Sequence, residues 1–396
     1  MGLAHSTRKD STMQYRPFGS LDFQVSALGF GMMRLPTNSD EPADINQPEA
    51  IAMVRRAIDA GVNYIDTAYP YHGGQSEVVT GLALADGYRE KVKLATKLPT
   101  WMVTCEEDVD RLLDEQLQRL NDNHIDIYLI HNITRAGWPT VKNCNVIARL
   151  EAAKAAGKIG AIGFSFHDDL ELFKEVIDSY DWAMAQIQYN YMNENVQAGT
   201  AGLEYAASKG IPVVVMEPLL GGCLVNTPPA INEILAEGSA ERTPADWALQ
   251  WLWNKPQVAT VLSGMSAMEH VEENLASADA SGIGSLSQAD LEVMRRAAEA
   301  YKALTPIPCT RCRYCMPCPK GVDIPTAFSL YNGIHAFGGN QGLLNRIIYH
   351  NLPDADKADN CVACGACEKK CPQHIAISEW LPKVHENLSR PPQREA

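Results

Sequence analysis

The sequence predicts a (β/α)8 barrel followed by a small, mainly helical metal-binding domain, and three observations carry that prediction. Eight short β-rich runs alternate with amphipathic stretches through the first 285 residues. The runs recur at roughly 25 to 40 residues, the spacing of strand-helix units. Eight of the eleven cysteines crowd between Cys309 and Cys371.

Residues 1–12 read as a polar, flexible leader; Gly2 and Ser6 also match the N-myristoylation pattern, although the leader reading is preferred. Residues 15–23, with Gly19-Ser20 at the turn, read as a hairpin plugging the barrel floor. The strands are expected at 25–31, 62–66, 91–97, 125–131, 160–165, 184–189, 212–216 and 259–264. Between them, 49–60, 106–120, 146–156, 170–179, 200–209, 244–253 and 268–280 space apolar residues three and four apart, as amphipathic helices do. Runs such as Pro212-Val-Val-Val-Met216 suit strands buried on both faces, so the sheet is expected to be parallel. Eight such units close into a barrel. An open doubly wound sheet is the alternative, but its Gly-x-Gly-x-x-Gly turn is missing, since Gly29-Phe-Gly31 is followed by Met-Met-Arg. These limits place the barrel at 13–285, a helical linker at 286–305, the metal domain at 306–385 and a tail at 386–396.

The chain has 396 residues and a formal net charge of −14, a balance that argues against nucleic acid or an anionic membrane as partner. It contains no run of eighteen apolar residues and no apolar signal core near its start, so a cytoplasmic protein is expected. Clustered cysteines in that compartment point to metal rather than disulfides.

In a (β/α)8 barrel the chemistry gathers where strands end at the C-terminal face. Asp66 ends the second run, Tyr71 follows in Asp66-Thr-Ala-Tyr-Pro-Tyr71, Lys97 ends the third, and His131 ends the fourth. Reducing a carbonyl with hydride leaves an alkoxide that needs a proton donor beside it, and Tyr71 suits that task. A free phenol has a pKa of about 10, and a neighbouring ammonium lowers it. Lys97, held by Asp66, is expected to do so, with His131 orienting the carbonyl. Singly, each has a plain reading: Asp66 a helix cap, Tyr71 a rim aromatic, Lys97 a snorkelling lysine, His131 a satisfied core histidine. Four of them at adjacent strand ends favour chemistry. Arg135 and Trp138, in the loop after His131, are equally balanced between substrate contact and loop packing. Cys223 reads as a small buried residue.

With these residues in view, 13 to about 285 resembles the aldo-keto reductases, barrels that bind a nicotinamide cofactor without a Rossmann fold. Leu28-Gly-Phe-Gly31, Gly73-Gly-Gln-Ser-Glu77, Ile162-Gly-Phe-Ser165 and Glu217-Pro-Leu-Leu-Gly-Gly222 match family motifs in the family order. The resemblance implies that Asp66, Tyr71, Lys97 and His131 are the catalytic tetrad. It implies that Ser165 and Gln186 bond the nicotinamide amide, and that Gly31, Met32, Met216, Gly264, His270 and Asn274 line the cofactor. The chain departs from the family at several points. Phe166 stands where an Asn is usual, leaving His167 as a substitute or a solvent-facing residue, and Met216 replaces a stacking Tyr. Gly264 and His270 replace the lysine and arginine that many NADPH-preferring members set against the 2′-phosphate. The cofactor is therefore NAD or NADP, with a leaning away from strong NADPH selectivity.

The second cysteine run, Cys361-x2-Cys364-x2-Cys367-x3-Cys371-Pro372, has the bacterial ferredoxin spacing for a 4Fe-4S cluster. Zinc, usually held by two separated pairs, fits less well. The first run, Cys309-x2-Cys312-x2-Cys315-x2-Cys318-Pro319, is one residue shorter before its last cysteine. By resemblance to two-cluster ferredoxins, Cys309, Cys312, Cys315 and Cys371 hold one cluster, and Cys361, Cys364, Cys367 and Cys318 the other. Both runs assembling gives two clusters, and a failed first run gives one. Residues 325–336 and 341–349, between the runs, read as helices. The whole resembles aldo-keto reductases of the bacterial type with a C-terminal ferredoxin-like domain.

The function that follows is nicotinamide-dependent reduction of a small carbonyl compound or oxidation of an alcohol. Two alternatives stand beside it: a non-catalytic, nucleotide-binding redox-sensing subunit, and an electron-transfer subunit that docks a flavin-bearing partner. Hydride carries two electrons and a 4Fe-4S centre accepts one, so exchange between them needs a converter such as flavin. No flavin site is recognisable here, so the clusters are expected to serve either as a structural clamp or as a port to a ferredoxin, flavodoxin or flavoprotein partner.

Overall fold

The computed structural model describes residues 13–39, 41–309, 315–337, 339–371 and 373–391. The leader with Gly2 and Ser6, Cys312, Pro372 and residues 392–396 lie outside that set. An antiparallel hairpin, β1 (Tyr15–Phe18) and β2 (Leu21–Ser26), comes first. Its turn needs glycine: Gly19 has φ +59°, and a Cβ there would meet Pro212 Cδ at 2.6 Å. Residues 25–31, expected as one strand, are divided. The Asn63 side chain accepts a hydrogen bond from the Ser26 amide at 2.8 Å, and β3 (Leu28–Gly31) then begins the barrel.

Eight parallel strands close in the order β10-β3-β4-β5-β6-β7-β8-β9. They are β3, β4 (Tyr64–Asp66), β5 (Lys93–Pro99), β6 (Ile125–Ile133), β7 (Ile159–Phe166), β8 (Met184–Gln188), β9 (Val213–Met216) and β10 (Val258–Ser263). The connecting helices are α1 (Gln47–Asp59), α2 (Gln75–Leu84), α3 (Glu106–Leu120), α4 (Trp138–Asn143), α5 (Val146–Ala155), α6 (Leu170–Asp178), α7 (Gly199–Ser208), α8 (Pro229–Leu235), α9 (Pro244–Trp253) and α10 (Met268–Asp279). Seven of these answer to expected segments. The missed α2 buries Ser76, Glu77 and Thr80, polar residues that break the apolar periodicity a helix shows in sequence. Phe18 and Val25 are fully buried with Tyr64, Ala95, Leu129 and Val214 in the barrel interior, so the hairpin closes the floor.

Arg16 fastens that closure. It is 6% exposed, and its guanidinium donates to the carbonyls of Lys255 at 3.1 Å, Val258 at 2.6 Å and Trp253. Burial pulls its pKa down to about 10, which leaves it charged at neutral pH. Arg16→Ala strands two buried carbonyls and a partly buried third, and is expected to cost about 3 kcal/mol of stability. A shifted midpoint in urea unfolding checks this, and a shift worth less than about 1 kcal/mol counts against it.

The chain divides into two compact units, Met1–Leu220 with Ala248–Leu286, and Gly221–Trp247 with Ser287–Ala396. In the second unit α8 packs against α11 (Gln288–Ala303), where Arg296 pairs with Glu237 at 2.5 Å. Ser287 and Asp290 cap α11 reciprocally. Burial would raise the Asp290 carboxyl, but hydrogen bonds from Ser239 and Ser287 hold it down at about 2. Three further helices, α12 (Ile324–Phe337), α13 (Gly339–His350) and α14 (Ile377–Leu388), enclose a small core of Phe328, Tyr331, Tyr349, Leu381 and Val384. The expected tail from residue 386 begins inside α14, whose last residue, Leu388, is fully buried. Among the described residues no helix is long and apolar enough to cross a membrane.

Candidate active site and cluster site

The tetrad residues meet at the C-terminal side of adjacent strands. Asp66 ends β4, while β5 and β6 run two residues beyond Lys97 and His131, so those two sit within their strands rather than at the ends. Lys97 is fully buried, and its ammonium donates to Asp66 Oδ1 and to the Thr67 carbonyl, each at 2.7 Å. The same ammonium lies 5.1 Å from the centre of the Tyr71 ring. His131 stands edge-on to Tyr71, ring centres 6.2 Å apart. Beneath them, buried Glu77 accepts from Thr96 Oγ1 at 2.7 Å and Gln116 Nε2 at 2.5 Å, and Gln116 also donates to the Lys97 carbonyl at 3.1 Å. The Gly-Gly-Gln-Ser-Glu77 motif thus supplies the bracing for the lysine.

Electrostatics of the site follow from burial and these charges. Burial pulls the Lys97 ammonium down, but Asp66 and Tyr71 more than offset it, so Lys97 stays charged through the neutral range. Burial pushes the Tyr71 phenol above 10; Lys97 pulls it back, and Asp66 and Glu217 oppose Lys97. The expected lowering by Lys97 is present but smaller than the effect of burial. His131 is held well below its ordinary value by burial, with Lys97 and His167 adding to the effect, and is neutral at pH 7. Its Nδ1 and Asp66 Oδ2 are buried without a protein partner.

Ser165 and Gln186 face each other across β7 and β8 and are each 1% exposed. Ser165 Oγ accepts from the Asn132 amide at 2.8 Å, which leaves its proton to donate. Gln186 Oε1 has no protein partner, and Gln186 Nε2 lies 3.6 Å from Met216 Sδ. A buried amide oxygen left unpaired beside a free hydroxyl proton fits a carboxamide ligand, since leaving it unsatisfied costs stability. Gly31 is paired with Asp66, and the Met32 carbonyl accepts from Ser76 Oγ at 3.1 Å. Asn274 donates to Ser263 Oγ at 2.9 Å, whereas His270 is exposed, its Nδ1 accepting from the Ser266 amide at 3.4 Å. Strand alternation settles Phe166: it points outward and packs on Phe164 and Phe173, while the next residue, His167, turns to the opposite face, in the field of Glu217. Burial lowers the His167 pKa.

Arg135 and Trp138 are occupied in the loop. Arg135 pairs with Asp169 at 2.8 Å, and buried Trp138 donates to Glu175 at 2.7 Å. The aromatic at the mouth is Trp101, 54% exposed and 5.1 Å from the His131 ring, a residue with no distinguishing signal in sequence.

In the cysteine region, Cys318, Cys361, Cys364 and Cys367 line one cavity with Lys320 and Leu381. The shorter spacer before Cys318 does not keep it from the second run. Backbone amides of Lys320 and Ala363 point at Cys318 Sγ and Cys361 Sγ at 3.5 and 3.4 Å, the type of contact that steadies cluster thiolates. Cys309, Cys315 and Cys371 pack against the same small core, and Cys312 lies outside the described residues. Among the described residues no three His, Cys, Asp or Glu side chains converge as one metal ion requires, whereas cubane ligands each serve a different iron.

The aldo/keto reductase family pattern matches residues 27–297, and that of a 4Fe-4S dicluster domain matches 308–376. L-galactose dehydrogenase of Arabidopsis thaliana is 27% identical over 314 residues, spanning 74% of this chain and 97% of its own. The NADH-specific methylglyoxal reductase of Escherichia coli is 26% identical over 341 residues, spanning 73% and 100%. An aldo/keto reductase from Klebsiella pneumoniae, solved in complex with NADP and acetate, is 25% identical with a TM-score of 0.59, covering 72% of this chain and 95% of its own. The holo form of an aldo-keto reductase from Bacillus halodurans shares the fold at 24% identity, with a TM-score of 0.62 over 73% of this chain and 97% of its own. The family pattern covers well over half of the chain and falls on the barrel that holds these side chains, so the protein belongs to the aldo/keto reductase family and carries an iron-sulfur dicluster domain after the barrel.

Proposed function

We propose that the barrel interconverts a small carbonyl compound and its alcohol, with Tyr71 moving the proton. Bound nicotinamide supplies or accepts the hydride. The carrying observation is the buried Lys97–Asp66 pair, 2.7 Å apart, set against the Tyr71 ring beside a neutral His131. Lys97 stabilises the phenolate that forms when Tyr71 gives up its proton, and Asp66 holds the ammonium in place. The neutral imidazole of His131 hydrogen-bonds the substrate oxygen. Ser165 and Gln186 orient the carboxamide, and Met216 packs against the ring. A catalytically idle nucleotide-binding barrel has no use for this assembly.

The pH dependence tests the assignment. Reduction needs Tyr71 protonated, and burial keeps its pKa above 10. The expected rate of reduction is level through the neutral range and falls only above about pH 10, while alcohol oxidation rises through the same pH. A reduction rate that already falls on the acid side of neutrality, below the ordinary histidine value of about 6.5, assigns the proton to a histidine instead.

In the second unit, Cys318, Cys361, Cys364 and Cys367 would hold one 4Fe-4S cluster, and Cys309, Cys312, Cys315 and Cys371 the other. Bound clusters supply one-electron redox chemistry. Exposed Val362 and Cys364 at the cavity support a port for a ferredoxin, flavodoxin or flavoprotein, in the reducing cytoplasm that thiolate clusters require.

A further inference from the structure

The sign of the charge reverses at the cysteine runs. Between Cys309 and Cys371 seven Lys and Arg stand against five Asp and Glu, in a chain whose net charge is −14. Two of those lysines, Lys369 and Lys370, sit on the short turn Glu368–Lys370 that joins Cys367 to Cys371, and both are exposed. Their neighbour Glu368 does not neutralise them: its carboxylate accepts from the Ser378 amide at 2.8 Å and from Ser378 Oγ at 2.6 Å. Ser378 lines the cavity that Cys318, Cys361, Cys364 and Cys367 share, and so does exposed Lys320. None of the three lysines has an ion pair or a side-chain hydrogen bond among the described residues. Val362, 59% exposed, lines the same cavity beside exposed Cys364.

Adjacent like charges without a counter-ion repel each other, and a surface of opposite sign relieves that repulsion. Encounters between redox proteins bury little area, under about 1,200 Å², and are steered by charge more than held by a broad apolar core. An uncovered apolar residue with a rim of lysines has that form. We propose that this face docks a small acidic electron-carrier protein, with Lys320, Lys369 and Lys370 meeting its carboxylates and Val362 at the centre of the contact. The inference rests on the cluster reading of this unit given above, and it adds the charge of the partner and the residues that recognise it.

Binding of an acidic flavodoxin and of an acidic 2Fe-2S ferredoxin to the full chain, by calorimetry and stopped flow, tests it, with basic cytochrome c as the control of opposite charge. Both acidic carriers are expected to bind at about 20 mM salt and to lose at least about tenfold in affinity by about 0.5 M, where surface charges are screened within a few ångströms. Lys369→Glu with Lys370→Glu is expected to slow association about tenfold at low salt and to match the wild type within about twofold at high salt, since rim charges act on the encounter. Lys369→Arg with Lys370→Arg keeps the charge and is expected to bind as the wild type does. Lys320→Gln, outside that turn, is expected to slow association about threefold and gives an independent reading. Failure of both acidic carriers to bind the iron-replete wild type, equal binding of cytochrome c, or unchanged association in the Glu pair at low salt overturns the proposal. Self-association of the wild type that the Glu pair abolishes assigns the face to a second copy of this acidic chain, and also overturns it. Iron and sulfide are measured on every sample: a wild type without them overturns the cluster reading and the docking with it, whereas full content without binding overturns the docking alone.

Discussion

Tyr71→Phe is expected to lower the rate of carbonyl reduction about a thousandfold while dinucleotide affinity stays within about twofold. Only one oxygen is removed. The ring that lies 5.1 Å from the Lys97 ammonium remains, as does the Lys97–Asp66 pair beneath it, so the packing of the mouth is preserved. What disappears is the proton donor, and positioned acid catalysis contributes about 10²- to 10⁴-fold. Single-turnover reduction followed by the absorbance of the reduced nicotinamide separates the chemical step from binding. A rate within tenfold of the wild type would take the proton away from Tyr71.

The second large effect concerns metal content. Two 4Fe-4S clusters amount to about eight irons and eight labile sulfides per chain, in protein purified without air. Cys318→Ala is expected to lower both to about four, because Cys318 shares one cavity with Cys361, Cys364 and Cys367 and removes one ligand of that cluster alone. Cys223→Ala, which changes a buried thiol outside both runs, is expected to leave the content at about eight. Eight irons retained in Cys318→Ala would break the assignment of Cys318, and stoichiometric zinc without sulfide in the wild type would remove the clusters altogether.

What could be read from the sequence was what repeats. Strand and helix periods located the barrel, and polar residues near the C-terminal ends of its strands singled out Asp66, Tyr71, Lys97 and His131, which the fold brings together. Two kinds of information were not local. The first is competition between strong effects: Lys97 does lower the Tyr71 pKa, but burial, which depends on every surrounding element, outweighs it. Likewise α2 hid behind Ser76, Glu77 and Thr80, whose burial makes sense only once Thr96 and Gln116 are folded against Glu77. α14 was obscured by Pro382 inside it, a residue that ordinarily ends helices. The second is proximity between distant positions. Arg34 and Gly264 are far apart along the chain and touch because β10 pairs with β3 where the barrel closes, and no spacing rule announces that contact. Trp101 beside His131 belongs to the same class.

The hairpin that seals the barrel floor with Phe18 and Val25 also bears on the order of events during turnover. With one end stoppered, Asp66, Tyr71, Lys97 and His131 are approached from a single side. Ser165 and Gln186, each 1% exposed, lie deeper than half-buried Tyr71, so under the function proposed above the carboxamide is seated below the carbonyl oxygen. Two visitors sharing one doorway must queue. The proposed roles then imply that the dinucleotide arrives before the carbonyl compound and leaves after the alcohol, and the expected result is that a surplus of substrate detains the spent dinucleotide and slows the cycle at its last step.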